Sequence, residues 1–169
     1  VAEAAVTTLA WQPLTEDDLD SLRHLARRCL AADGGLPQLA HEQTIRRLFL
    51  SGSGIAGRDE TGDIVAAASV FVDNAGHRTA TGLVHPSTRW QGIGEELAQW
   101  ARERAGGSPL RVVAETTSPE SEELYAELGL KRTFAEHVMR HPLDEVPRIK
   151  RPEGLHVAAA VPRLGAAVD

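Results

Sequence analysis

Five residues near the middle of the chain frame a candidate anion site, with Arg89, Gly92 and Gly94 as the residues whose types suit an anion. Val84, Pro86, Arg89, Gly92 and Gly94 lie in TGLVHPSTRWQGIGEELAQW, residues 81–100. There an apolar segment runs through a proline and two glycines into a helical pattern. A helix N-terminus leaves amide groups without intrahelical partners and carries partial positive charge. A pyrophosphate suits such a position. The backbone can come that close only where side chains are absent, which glycine supplies. RWQGIGEEL therefore reads as an anion cradle, with Gly92 and Gly94 clearing the approach and Arg89 adding charge. A plain glycine turn ahead of a helix would carry the same pair, so the flanking residues must decide between the two.

The cradle needs a strand before it and a helix after it, and the pattern supplies both. TTLAWQPL is a short extended segment. Thr15 caps a helix over TEDDLDSLRHLARRCLAA, with acids in its first turn and arginines toward its end, as the helix dipole favours. DGGLP ends that helix. AHEQTIRRLFLSG is a second helix stopped at Gly52. SGIAGRDETGDIVAAASVFV is two strands joined by RDETGD. DNAG turns the chain into the strand HRTATGLVH. EELAQWARERA is a helix stopped by GGSP, and LRVVAETT is a buried-type strand. SPESEELYAELGL is a helix with Ser118 as N-cap, Pro119 at its first position and Gly129 at its end. KRTFAEHVMRHPL is a final strand. The order βααβββαβαβ predicts an α/β (α+β) fold, a mixed and mostly antiparallel sheet flanked by helices.

Composition narrows the function. The chain has 169 residues, enough for one domain with some left over, and 42% are apolar against 4% aromatic, so the core must be aliphatic and alanine-rich. A net charge of −6 argues against nucleic acid as a partner. No apolar run approaches a membrane span. The opening VAEAAVTTLA has neither a basic nor a long apolar stretch and does not read as a signal peptide, and its lack of a starting Met is expected of a processed or trimmed chain. Cys29 is the single cysteine, so no internal disulfide forms, which fits a cytoplasmic location. Its place in LARRCLA reads as a buried structural thiol.

The flanks of the cradle extend the pattern to V-x-P-x-x-R-x-x-G-x-G between an apolar strand and an amphipathic helix. This resembles motif A of the GCN5-related N-acetyltransferase (GNAT) superfamily. RVVAETTSPESEELYAELGLKR is similar to motif B of that superfamily, in which a helix carries a tyrosine just before a Leu-Gly turn; here that is Tyr125 before AELGL. The resemblance covers roughly residues 7 to 141. A dinucleotide-binding G-x-G-x-x-G is excluded, because no third glycine follows and the preceding strands do not alternate with helices.

The resemblance implies a GNAT fold, splayed at an acyl-CoA site, and an acetyl-CoA-dependent N-acetyltransferase. Acetyl-CoA is the acyl donor, no metal takes part, and a primary amine of a small molecule or peptide is the acceptor. Backbone groups of Leu83, Val84 and His85 are expected to pair with the pantetheine arm. The turn Arg89, Trp90, Gln91, Gly92, Ile93, Gly94 and Glu95 is expected to hold the pyrophosphate, with Ser118 and Ser121 also at the cofactor. Tyr125 is expected to protonate the leaving thiolate, and backbone N–H groups of the splayed strand to stabilise the oxyanion. A base must take the amine's proton. Many GNAT proteins carry a glutamate on the motif A strand, but Thr81 stands there in this chain, and Ser118 stands where motif B often begins with Asn. Glu115, His77, His85 and His137 are the remaining candidates, with Glu115 the best placed. The missing strand carboxylate leaves a second reading open, a catalytically degenerate domain that binds acetyl-CoA within a tandem-GNAT protein.

The expected domain organisation is a GNAT domain over residues 1–141, a proline-rich linker over 142–153 and a tail over 154–169. HPLDEVPRIKRPEGLHV resembles the linker of tandem-GNAT proteins such as mycothiol synthase. GLHVAAAVPRLGAAVD echoes the chain's own opening and reads either as the start of a second GNAT copy or as a segment closing over the first sheet. The expected partners are thus the amine acceptor and either a homodimer mate or a second GNAT domain, without nucleic acid or membrane.

Overall fold

A computed structural model describes residues 8–137, together with 139, 144, 153 and 154. The chain divides into two compact units, Val1–Val138 and Met139–Asp169, and the described elements all belong to the first. Among the described residues five strands lie side by side in sequence order: β1 (Ala10–Pro13), β2 (Ser53–Arg58), β3 (Ile64–Val72), β4 (Arg78–Val84) and β5 (Leu110–Val112). The first four are antiparallel, and β5 runs parallel to β4. The helices are α1 (Leu19–Asp33), α2 (Glu42–Ile45), α3 (Ile93–Ala105) and α4 (Pro119–Glu127).

Parity along the strands assigns the layers. Side chains alternate across a sheet. Ala67 and Phe71 of β3 and Leu83 of β4 pack with Leu22, Leu25 and Cys29 of α1 and with Ile45, Leu48 and Phe49. Their neighbours Ala66 and Ala68 face the other way, onto Ile93 and Leu97 of α3, and Val70 and Ala80 meet Ala101. With helices on both faces, β3 is buried from Ile64 through Phe71 and carries no polar alternation.

The ends of the elements follow their sequence signals. Thr15 opens a short 3₁₀ turn, and its amide donates to the Asp18 carboxylate at 2.9 Å. Asp18 is itself buried and paired with Arg58. Asp59 and Asp73 each build the turn after their strand, the amide of Asp63 donating to Asp59 and that of His77 to Asp73. The second helix departs from a plain α-helix. It passes at Arg46–Leu50 into a π turn, where the buried Ser69 hydroxyl donates to the Leu48 carbonyl.

Two expectations need correction. LRVVAETT forms only a three-residue strand at the edge of the sheet, with Arg111 and Val112 exposed, because among the described residues no strand covers it. The expected final strand is irregular and exposed over its described residues 131–137, where Phe134 is the one large apolar side chain and is itself uncovered. The rest of that segment, apart from 139, lies outside the described residues. So do the linker and tail, apart from 144, 153 and 154.

Candidate acyl-donor site

Strand β4 is longer than the strand beside it. The parallel pairing ends at Ala80 opposite Val112, and the last bond across it runs from the Val113 amide to the Ala80 carbonyl at 2.9 Å. From Thr81 to Val84 β4 continues beside β3 with no strand among the described residues on its other side. That gap opens into a cavity of about 480 Å³. Its lining runs from Cys29, Asp33 and Thr116 on one face of the sheet to Leu97, Ala98 and Ala101 of α3 on the other, with Leu124 and Tyr125 of α4.

Register decides which backbone groups face the gap. In an antiparallel ladder alternate residues bond to the partner strand and the others point away. The His85 amide donates to the Val65 carbonyl at 2.8 Å, which assigns His85, Leu83 and Thr81 to the β3 side. Gly82 and Val84 therefore face the gap, and Gly82 is exposed although it sits within a strand. Of the three residues expected to offer backbone groups, only Val84 is turned the right way. Gly82, absent from that set, supplies the other pair. Strand parity could have found it, given the hairpin at Asp73–His77.

At the gap's mouth the chain makes a short 3₁₀ turn, Pro86–Thr88, capped by the His85 ring, which accepts from the Ser87 amide. Two left-handed residues follow. Trp90 has φ +66°, the only non-glycine with positive φ among the described residues, and Gly92 has φ +80° at the N-cap of α3. The first helical bond joins the Glu96 amide to the Gly92 carbonyl, so the amides of Ile93, Gly94 and Glu95 lie ahead of it. The two glycines serve different ends. A Cβ on Gly92 would meet nothing within 4 Å, so its glycine answers the backbone angle. A Cβ on Gly94 would stand 3.0 Å from Leu124, so its glycine answers the closeness of α4.

Arg89 does not reach toward the cradle. Its terminal nitrogens form two 2.7 Å bonds to the Asp33 carboxylate, and its Nε donates to the Val84 carbonyl at 3.3 Å. The pair is largely buried, and the Asp33 hydrogen bonds hold the guanidinium pKa above its ordinary value. The charge that Arg89 was expected to add at the turn is thus paired with Asp33, although Arg89 lines the cavity.

Ser118 and Ser121 line the cavity but bond chiefly to each other. Ser118 Oγ accepts from the Ser121 amide at 3.3 Å, and Ser121 Oγ from the Ser118 amide at 3.0 Å, closing the cap of α4. Tyr125 lines the cavity, half-buried, and burial raises the pKa of its phenol, which keeps it protonated at neutral pH. Trp90 and Glu95 are exposed, and both line the cavity. Glu115 does not line it, although Thr116 beside it does. His77 pairs with Asp73 at the far end of β4, and His137 is exposed beyond α4, so neither lies at the cavity. Burial and the nearby charges of Arg28, His24 and Arg89 lower the pKa of His85, whose ring is engaged in its own turn. Among the described residues no helix is long and apolar enough to cross a membrane.

Comparison with known proteins gives the geometry its context. No protein-family model matches the chain. A mycothiol acetyltransferase of Geodermatophilus obscurus is 33% identical over 142 residues, covering 79% of this chain and 45% of that protein. The chain spans about half the length of the curated relatives it matches. Among solved structures, a GCN5-related N-acetyltransferase from Sphaerobacter thermophilus superposes with a TM-score of 0.59 at 22% identity, over 72% of this chain and 42% of that one. A GNAT superfamily phosphinothricin acetyltransferase from Sinorhizobium meliloti, in complex with AcCoA, superposes with a TM-score of 0.56 at 18% identity, over 72% of this chain and 74% of that one.

Proposed function

From a chain that has the fold of the GCN5-related N-acetyltransferases and resembles mycothiol acetyltransferases in sequence, we propose an N-acetyltransferase that moves acetyl from acetyl-CoA to a primary amine. The observation that carries this reading is the gap beyond Ala80, which opens at the first turn of α3. A thioester arm laid along the gap would find the amides and carbonyl of Gly82 and Val84 as a strand finds its neighbour. Its pyrophosphate would meet the amides of Ile93, Gly94 and Glu95 at the positive end of the helix. The carboxylates of Glu95 and Glu96 must then be turned away from the phosphates, although Glu95 lines the cavity.

The chemistry asks little more of the protein. The amine nitrogen attacks the thioester carbonyl, and the developing oxyanion is held by a gap-facing N–H of β4. The C–S bond breaks, and Tyr125 gives its proton to the departing thiolate. Glu115 takes the amine's proton through water, since it does not line the cavity itself. The acceptor approaches from the Asp33–Thr116 side, opposite α3. The relatives' name makes the amine that precedes mycothiol the first acceptor to try. The single buried thiol supports a cytoplasmic setting, and the linker-like segment supports a second GNAT domain beyond it.

A second reading keeps the acetyl-CoA site without turnover. It is favoured by one observation: none of the five lining residues Ala80–Val84 is a carboxylate. One experiment separates the two. Acetyl-CoA is added to the protein in a thermal melt, and free CoA thiol is then followed across a panel of amines. A rise in melting temperature with thiol release supports the enzyme. A rise without release supports the binding domain, and no rise removes both.

A further inference from the structure

Val84 has a carbonyl that needs an occupation. Register turns both of its backbone groups toward the gap. A bare carbonyl there would repel a developing oxyanion and compete for the amide of an incoming arm. Instead two donors from different parts of the chain converge on it: Arg89 Nε at 3.3 Å and Cys29 Sγ at 3.4 Å. Arg89 is aimed by Asp33, the last residue of α1, through both carboxylate oxygens, and Thr116 Oγ1 adds a 3.4 Å bond to the same carboxylate.

A fork-to-fork pair of this kind is among the stronger side-chain interactions, and its geometry is fixed. It is also costly to break, because a charge would be left buried without its partner. Asp33 has 8% of its side-chain surface exposed and Arg89 has 19%, so water does little to replace either. A phosphate at the cradle would have to outbid Asp33 for Arg89.

We propose that Asp33 is a positioning residue for the acyl-donor site: it turns Arg89 away from the phosphate cradle and onto the Val84 carbonyl, leaving the Val84 N–H as the group offered to the gap. The pyrophosphate is then held by backbone amides of the α3 turn without Arg89. This rests on the acyl-CoA reading given above.

The test is a titration of CoA into the ¹⁵N-labelled protein and into the Asp33→Asn and Arg89→Lys variants, followed amide by amide. Lysine keeps the charge but cannot make the fork and the Nε bond together. In the parent, the amides of both Val84 and Gly94 shift on adding CoA. In either variant Gly94 still responds, and the Val84 response falls severalfold or disappears. A general loosening of the fold would weaken both signals together. The proposal is overturned if Arg89→Lys loses the Gly94 response and keeps that of Val84, if both responses fall together, or if all three proteins respond alike. Should the variants not fold, the parent's Arg89 Nε–H signal decides under added inorganic pyrophosphate. It is expected to stay in place, and a shift on saturation overturns the proposal. A parent that responds to CoA at neither amide brings down the acyl-CoA reading itself, a failure distinct from those.

Discussion

Arg102 of α3 donates to the Leu128 carbonyl at the end of α4, at 2.6 Å. Together with the close approach of Leu124 to Gly94, this bond ties the second wall of the cavity to the first. Helix α4 has little else to hold it, since none of its residues is fully buried. Arg102→Ala is expected to speed amide hydrogen exchange in α4 while leaving α1 and β3 unchanged. Equal protection of α4 in parent and variant would remove the bond from any such role.

Gly92 and Gly94 should fail differently. Gly92→Ala forces a side chain into the left-handed region, at about 1–2 kcal/mol of stability, with no neighbour in the way. Gly94→Val instead meets Leu124 and the cradle itself. It is expected to abolish the acetyl-CoA-induced rise in melting temperature, whereas Gly92→Ala lowers the baseline melt and keeps part of that rise. Identical behaviour of the two variants would contradict the division of labour.

Tyr125→Phe removes one hydroxyl and keeps the ring. If the phenol protonates the leaving thiolate, turnover with a good amine should fall by about 10²–10⁴-fold, while acetyl-CoA binding stays near the parent's. Unchanged turnover would take Tyr125 out of the chemistry.

Cys29 makes stability depend on alkaline pH. Burial pushes its thiol up from 9.0 to about 11, against smaller opposing effects from Arg89. Its stabilising contribution is fully present below pH 9. As pH rises from 9 toward 11 the unfolded chain gives up the thiol proton first, and the folded state loses about 1.4 kcal/mol per pH unit from this group. Chemical denaturation between pH 8 and 10.5 should show a steeper decline in the parent than in Cys29→Ala. Parallel slopes would show that the thiol is not held neutral by the fold.

The linker-like stretch beyond 141 carries its own expectation. A chain ending at Leu143 should melt as one unit and keep acetyl-CoA binding, because every described element finishes by Glu127. Loss of folding or of binding on truncation would assign the tail to this domain.

The glycine turn ahead of α3 and most elements were legible because their signals are local. Gly34, Gly106 and Gly129 end or follow helices with positive φ, where the sequence set its stops, and Ser118 caps α4 as read. What escaped the sequence depended on distance or parity. Arg89 looked free because its partner Asp33 lies 56 positions earlier, at the end of another helix. Leu83 and His85 were expected in place of Gly82 because the facing of a backbone group follows from register against β3. LRVVAETT looked buried because apolar residues at an open edge have the same composition as those in a core. In KRTFAEHVMRHPL, alternation suggested a strand, although over its described residues 131–137 Phe134 is the one large apolar side chain and is itself exposed.

The sheet's near edge has a consequence for the order in which the molecule assembles. Strands β2, β3 and β4 are linked by turns closed within five residues, Asp59 to Asp63 and Asp73 to His77, and such hairpins close in microseconds. Strand β1 pairs Ala10 with Arg58 across both intervening helices. Loop-closure entropy must be met before that contact gains anything. During synthesis the first strand waits, unpaired, for nearly fifty residues of later chain. The N-terminal strand should therefore dock after those hairpins have closed, and a refolding step slower than hairpin closure should report from Trp11, which lies on it.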